Sequence, residues 1–272
     1  MQIPNSIGLV ALDIDGTLLD PNVHHSAMPD DNMTRAVKAV MAAGIEVILA
    51  TGRMYPGTAT IGAHLGVELP LICQQGASVH NQDGSIKFDH PLDPEISTTL
   101  VDYARNNNWP LGWFDAHTYL TTHETEQARF FADVSGIPMV VHPTPHLTQV
   151  KPTGIDIIST LEIASSIHSE METLFGDRIE LLDFPSVTAI HSSAASKGIA
   201  VAAIARELGI SQQHVLAIGD SVNDVSMLTW AGHSASPDHC DDYARAAAKQ
   251  ILPGAGVSGV CELLTQVAAT VR

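Results

Sequence analysis

Ile7-Gly8-Leu9-Val10-Ala11-Leu12-Asp13-Ile14-Asp15-Gly16-Thr17-Leu18 is the stretch on which the fold turns. Residues 7–12 form a short apolar run with no helical period, which suits a buried strand. The run ends in two carboxylates at i and i+2. On an extended chain they project to the same side, and Gly16 then lets the backbone turn away. Open α/β sheets place their ligands at this C-terminal edge of a strand. Two anions so close repel each other unless a cation or a shared proton intervenes. Taken alone, a turn in which Asp caps a loop explains the pair equally well.

Reading outward, Asp30 or Asp31 caps a helix whose apolar positions are Met33, Val37, Val40 and Met41, and Gly44 ends it. Residues 45–50 and 69–73 read as further buried strands, with a helical segment near 58–65 between them. Repeated βα units with continuous apolar strands predict a parallel sheet covered on both faces. The texture changes at Asn81-Gln82-Asp83-Gly84, a hairpin turn signal. Beyond it the pattern predicts helices at 95–106, 124–134 and 161–175, and strands at 111–114, 119–121, 155–159 and 179–182. From 187 the βα alternation returns. Strands are expected at 187–191, 215–218 and near Ile251, and helices at 197–208, 224–230, 241–248 and 257–271. The architecture expected is an α/β, Rossmann-like parallel-sheet core formed by residues 1–84 and 187–272. An α+β module, residues 85–186, is inserted in its middle.

The 272 residues suffice for a large domain or two modest ones. Thirty acidic against thirteen basic side chains give a net charge of −17, with 45% of residues hydrophobic. This is a globular composition. The charge excludes a general affinity for nucleic acid or anionic membrane, since both need clustered Lys and Arg. An anionic small molecule remains compatible if a cation sits at the site. Cys73, Cys240 and Cys261 form neither a CxxC pair nor a disulfide framework, so a reducing, cytoplasmic setting is expected. No signal peptide and no membrane-spanning apolar stretch is read. Composition leaves the oligomeric state open.

Three more groups carry chemistry. Thr51-Gly52-Arg53 follows the second strand and offers a hydroxyl, a turn and a cation. Ser196-Lys197-Gly198 opens a helix, where the dipole disfavours Lys unless an anion is also present. Gly219-Asp220-Ser221-Val222-Asn223-Asp224 brings hard oxygen ligands after a buried strand, which suits Mg²⁺. Each has a plain structural reading as a cap, a turn or a solvated Lys. Their joint placement at strand ends makes one sheet edge hold Asp13, Asp15, Asp220, Asp224, Thr51 and Lys197. Four carboxylates share a site only around a divalent cation, and a metal with Lys and a hydroxyl is what a phosphoryl group needs.

These four motifs, in this order and with an insertion between the second and third, resemble those of the haloacid dehalogenase superfamily of phosphatases, in the Cof-type branch with a C2 cap of subclass IIB. The resemblance spans essentially the whole chain in layout. It implies Asp13 as the nucleophile that takes the phosphoryl group, and Asp15 as general acid and then base. It implies phosphate binding by Thr51, Gly52, Arg53, Lys197 and Asn223. It further implies a Mg²⁺ cofactor held by Asp13, Asp220, Asp224 and the backbone carbonyl of Asp15, with Asp224 holding the metal's water shell or orienting Lys197. The partner implied is a small phosphorylated metabolite, most plausibly a sugar phosphate.

The chain departs from the family pattern at three places. Gln75-Gly76-Ala77 stands where many relatives have Asn-Gly-Ala. Ser234 to His239 replaces a Met followed by an Asn-Ala pair, and Gly254-Ala255-Gly256-Val257 lacks an acidic pair. The competing readings are a sugar phosphomutase with the same core chemistry, a phosphate-binding regulator without activity, and a receiver domain phosphorylated by a partner. Trp109, Trp113, Phe114 and Tyr119 are expected in the module's core rather than at a ligand. His117, His123 and Arg129 are candidates to reach a substrate from the module, and His24 and His25 to flank the site.

Overall fold

A computed structural model describes residues 7–24 and 26–270. The chain opens with β1 (Leu9–Leu12), α1 (Asp31–Ala42), β2 (Glu46–Leu49), α2 (Tyr55–Leu65) and β3 (Leu71–Cys73). A hairpin of β4 (Ser78–His80) and β5 (Ile86–Asp89) follows. Next come α3 (Pro94–Asn107), β6 (Leu111–Phe114), β7 (Tyr119–Thr121), α4 (Glu126–Ser135), β8 (Met139–Val141), β9 (Gly154–Ile158), α5 (Ala164–Phe175), β10 (Ile179–Phe184) and β11 (Val187–Ser192). The chain closes with α6 (Lys197–Glu207), β12 (Val215–Ile218), α7 (Val225–Trp230), β13 (His233–Pro237), α8 (Asp242–Ala247), β14 (Gln250–Leu252) and α9 (Ser258–Thr270).

The parallel sheet runs β14-β13-β12-β1-β2, and a bridge between Ala50 and Ile72 sets β3 beside β2. Alternate residues of β1 serve opposite layers. Val10 and Leu12 pack with Val37, Val40 and Leu264 under α1 and α9. Leu9 and Ala11 pack with Val201, Ile204 and Leu228 under α6 and α7. Burial on both faces is why these strands read as unbroken apolar runs. The register is level where it matters: Leu12 pairs with both Ile218 and Leu49. Asp13, Thr51 and Asp220 therefore leave three adjacent strands at nearly one height. At the start of α1, Asp30 accepts from the Met33 amide at 2.8 Å, the cap its sequence predicts.

The inserted unit is a six-stranded sheet in the order β10-β11-β9-β6-β7-β8. One face carries Leu111, Trp113, Ile155, Ile157 and Ile190 against α3 and α5. The α/β core with an inserted α+β unit is thus the architecture expected. Its junctions differ from those expected at 84/85 and 186/187. β5 pairs with β4 on the core side, where Phe88 packs against the core, so the hairpin closes before the inserted unit begins. β11 pairs antiparallel with β10 and β9. Its apolar run reads like a core strand because a central strand of the inserted sheet is buried just as deeply. Lys197 therefore does not follow a strand of the parallel sheet.

β8 and β13 are absent from the sequence expectation. β13 is built from His-Ser-Ala-Ser-Pro, and its buried Ser234 and Ser236 give no apolar run. The last helix ends at Thr270 as described, and position 271, included in the expectation, lies outside the described residues. Among the described residues no helix is long and apolar enough to cross a membrane.

The entry to α6 is fixed from two sides. Ser196 Oγ accepts from the Ile199 amide at 3.1 Å. Gly76, at φ +92°, abuts the chain just before Lys197: a Cβ there would lie 2.3 Å from the Ser196 carbonyl oxygen. Gly44 also has positive φ, at +80°, but a Cβ there meets nothing within 4 Å. In equilibrium denaturation, Gly44→Ala is expected to cost about 1 kcal/mol, the backbone penalty alone. Gly76→Ala, which adds a collision with fixed backbone, is expected to cost about 3 kcal/mol or more.

Candidate active site

At the level strand ends, Asp13 continues β1 and its amide donates to the Ile218 carbonyl at 3.0 Å. Lys197, the first residue of α6, is fully buried. Its Nζ donates to Asp13 Oδ1 and to Asp224 Oδ1, each at 2.6 Å. Asp224 Oδ2 in turn accepts from the amides of Asp220 at 2.8 Å and Ser221 at 3.1 Å. Asp224 is thereby locked to the turn it closes. Asp241 braces the same turn, accepting from Ser221 Oγ at 3.1 Å and from the Val222 amide at 2.7 Å. Thr17 Oγ1 donates to Asp220 Oδ1 at 3.0 Å, which ties the first motif to the fourth.

Burial pushes the Asp13 carboxyl well above the usual carboxylate range; Lys197 opposes this, and Asp224, Asp220 and Asp15 add to it. Burial, helped by Asp224, pushes Asp220 up to about 7, against the Thr17 hydrogen bond. Burial disfavours the Lys197 charge, but Asp13 and Asp224 outweigh it and hold the ammonium above its ordinary value. One cation thus faces three carboxylates. Asp13, Asp220 and Asp224 place one oxygen each within 4.8 Å of one another. This set of hard oxygen donors fits a small divalent cation. The Asp15 carboxylate stands outside that group, about half exposed (48%), and receives Arg53 Nε at 2.8 Å and Arg53 Nη2 at 2.5 Å. Arg53 thus forms a fork on Asp15 at the edge of the same cavity.

Thr51, Gly52, Arg53 and Asn223 line the same cavity as Asp13, Asp15 and Asp220, with a volume of about 680 Å³. Thr51 Oγ1 accepts from the Arg53 amide at 3.2 Å. Gln75 lines the cavity too, and its Oε1 accepts from Asn223 Nδ2 at 3.0 Å. The departure from Asn at this position thus places a longer amide at the site's edge. Another departure, His239, brings Nε2 to 2.8 Å from the Gly16 carbonyl oxygen.

The other wall belongs to the inserted unit. Phe114 and Tyr119, expected in its core, are buried and also line the cavity. Phe131 packs against both, tilted on Phe114 and edge-on to Tyr119, with ring centroids 5.0 and 4.9 Å away. Trp113 instead packs under the helices, with Nε1 donating to the Val150 carbonyl at 3.0 Å, and Trp109 packs there as well. His117, His123 and Arg129 do not line the cavity. His117 meets the ring of His80, His123 meets Thr122 Oγ1 and Arg129 pairs with Glu124. His24 meets Ser26 on an exposed loop, and His25 lies outside the described residues. Asp156 and His191 were not singled out in sequence, although both line the cavity and are buried. The signal was strand period: Asp156 alternates with Ile155 and Ile157, which face the helices. Burial alone pushes Asp156 up to about 7, and burial pulls His191 down to about 4.

A family model for haloacid dehalogenase-like hydrolases matches residues 10–264. The chain belongs to that family. A phosphatase of Bacillus subtilis is 24% identical to it over 82% of this chain and 87% of that protein. Among solved structures, a haloacid dehalogenase-like hydrolase of B. subtilis superposes with a TM-score of 0.81 at 20% identity, covering 95% of this chain and 99% of the other. A structure described as a subclass IIB sugar phosphatase gives 0.80 at 18% identity, covering 95% and 98%. The enzyme class read from the motifs, a phosphoric monoester hydrolase, stands.

Two stability measurements check this electrostatic account. Lys197→Met strands buried carboxylates, so the metal-free protein is expected to lose about 3–5 kcal/mol in denaturant titrations, with partial recovery on adding Mg²⁺. For Asp156, the unfolded chain ionises near 3.8 and the folded one near 7. Stability therefore falls as pH rises through that window, and the whole penalty is present above it. Tyr119, which interacts with Asp156, and His191, which lines the same cavity, remain neutral between pH 5 and 8. Asp156→Asn is expected to raise stability at pH 8 by the order of a few kcal/mol, and the gain should vanish near pH 4.

Proposed function

We propose that this member of the family is a Mg²⁺-dependent phosphatase of a small phosphorylated metabolite, acting through an aspartyl-phosphate on Asp13. The observation that carries this reading is the contact of fully buried Lys197 with both Asp13 and Asp224, directly behind Asp13, which lines the cavity shared with the inserted unit. A buried ammonium held between carboxylates beside a cavity is poised for an anion.

Asp13, Asp220 and Asp224 are the residues that would hold the metal, together with the Asp15 carbonyl expected from the resemblance. A bound divalent cation supplies positive charge that lets a carboxylate approach a phosphoryl group. The chain's own groups do the rest. Asp13 Oδ1 accepts from Lys197, and a carboxylate oxygen of Asp13 attacks phosphorus in line. The bond from phosphorus to the leaving oxygen breaks, and that oxygen takes the proton of the Asp15 carboxyl. Asp15, now ionised, removes a proton from water as its oxygen attacks phosphorus. The bond from phosphorus to Asp13 breaks, releasing phosphate and restoring the carboxylate. Lys197 and Thr51 meet the phosphoryl oxygens as charge spreads over them. Arg53 orients Asp15 with two hydrogen bonds, so its proposed part is to position the proton donor. Asp224 orients Lys197, and Asn223 braces the loop through Gln75. The inserted unit covers the site and excludes water.

The test is phosphate release from p-nitrophenyl phosphate and from a panel of phosphomonoesters, with Mg²⁺ and with EDTA. Release is expected only with the metal. Asp13→Asn is expected to lower kcat by about 10³-fold or more while the protein stays folded. Equal activity in EDTA, or in the Asp13 variant, contradicts the reading.

A further inference from the structure

The wall of the cavity opposite Asp13 has a chemistry of its own. Strand alternation sends Phe114, Asp156, Ile158, Val187 and His191 toward the cavity and their neighbours toward α3 and α5. Two glycines of this sheet make room. A Cβ on Gly112 would lie 3.2 Å from the Tyr119 hydroxyl and 3.3 Å from Asp156 Cβ, and one on Gly154 would strike the ring of Phe114 at 2.4 Å. The apolar share of the wall is completed by Phe131 and Phe184.

Set in this apolar wall, Asp156 is 8% exposed. Its carboxylate has no hydrogen bond or ion pair from the described residues, and burial is the sole influence on its acidity. A carboxylate kept in such surroundings without a partner is costly, which points to a partner supplied from the cavity. The nearby donor is the Tyr119 hydroxyl, buried and itself without a partner, and it carries no charge to offset a carboxylate; the other polar groups of this wall are chiefly acceptors. His191 Nδ1 faces the Thr153 carbonyl oxygen at 3.0 Å, so Nδ1 carries the proton and Nε2 is left as an acceptor. Glu126 also lines the cavity, while the Gln127 amide nitrogen already donates to Ser186 Oγ at 3.1 Å. Arg53 is the sole Arg or Lys among the described residues lining the cavity, and it is engaged with Asp15.

Resting on the phosphatase reading, we infer that Asp156 selects substrates whose leaving group is a flat, apolar ring carrying a protonated amine or N–H donor. The ring lies among Phe114, Phe131 and Phe184, and the nitrogen donates to Asp156. A sugar would press hydroxyls against the rings of Phe114, Phe131 and Phe184, where they find no partner. A second acidic group, as on a bisphosphate or a phosphorylated carboxylic acid, finds acceptors where it needs a cation. The sugar phosphate expected from the sequence and the mutase alternative, which needs a bisphosphate, are both disfavoured on this ground.

The experiment uses two phosphonates that cannot be hydrolysed, benzylphosphonate and 3-(aminomethyl)benzylphosphonate, titrated calorimetrically into the Mg²⁺-loaded protein. The amine is expected to bind at least tenfold tighter to the native chain. In Asp156→Asn, which removes the charge and keeps the shape, the preference is expected to fall below twofold. The phosphonate isostere of glucose 6-phosphate, which also cannot be hydrolysed, is expected to compete less well than benzylphosphonate in both proteins. Equal binding of the two phosphonates, absence of binding by either, or a preference that survives Asp156→Asn overturns the inference. Phosphate release from p-nitrophenyl phosphate is measured in parallel. Its absence contradicts the phosphatase reading, while the binding ratios still decide the role of Asp156.

Discussion

The structure depends on one buried charge. Lys197 is wholly enclosed and touches two carboxylates that come from different parts of the chain, Asp13 after β1 and Asp224 after β12. Removing an ammonium from water costs several kcal/mol, which these contacts must offset. The fold meets that demand with fixed backbone. The Asp224 carboxylate is held by two amides of its own turn, Ser196 caps the helix that carries Lys197, and Gly76 lets the preceding chain pass close by. The level register of β1, β2 and β12 then brings Thr51 and Asp220 to the same place. A site that is preorganised in this way spends little on rearrangement when an anion arrives.

The inserted unit works by a different rule. Its six-stranded sheet buries one face under α3 and α5 and turns the other toward the carboxylates. The first face is a core of mainly apolar residues, with Thr188 buried there and donating to the Ala164 carbonyl. The second is free to carry aromatic rings, Asp156 and His191, since its partner is a cavity. The contact between the two units joins the apolar packing of Met54 against Phe114, Tyr119 and Ala128 to a few specific hydrogen bonds. Gln74 donates to the Asp115 carbonyl at 2.6 Å and accepts from Thr153 Oγ1 at 2.6 Å. The Met54 amide donates to Ser135 Oγ at 3.1 Å. In the proposed reading, chemistry sits on the parallel sheet and recognition of the leaving group on the inserted one.

Much of this was legible in the sequence, for physical reasons. Strands buried on both faces announce themselves as apolar runs, and paired carboxylates at their ends have few structural uses, so the four motifs stood out. What escaped notice lacked such a signature. β13 is buried through Ser234 and Ser236, which read as loop. β11 was assigned to the wrong sheet, because an apolar strand does not name its neighbour. The pairing of Arg53 with Asp15 depends on tertiary placement and has no sequence signal. Asp156 was passed over because one acidic residue between isoleucines looks like an ordinary solvated strand position. Its burial arises from the wall built by α4 and β11 around it.

The claim on which the account rests is that Asp13, and not water, first attacks phosphorus. Stereochemistry at phosphorus tests it most directly. A phosphomonoester made chiral with oxygen isotopes is hydrolysed by the Mg²⁺-loaded protein in isotopically defined water, and the configuration of the released phosphate is read by NMR. Two in-line displacements, on Asp13 and then on water, predict net retention. Net inversion, the mark of one direct displacement by water, would contradict it.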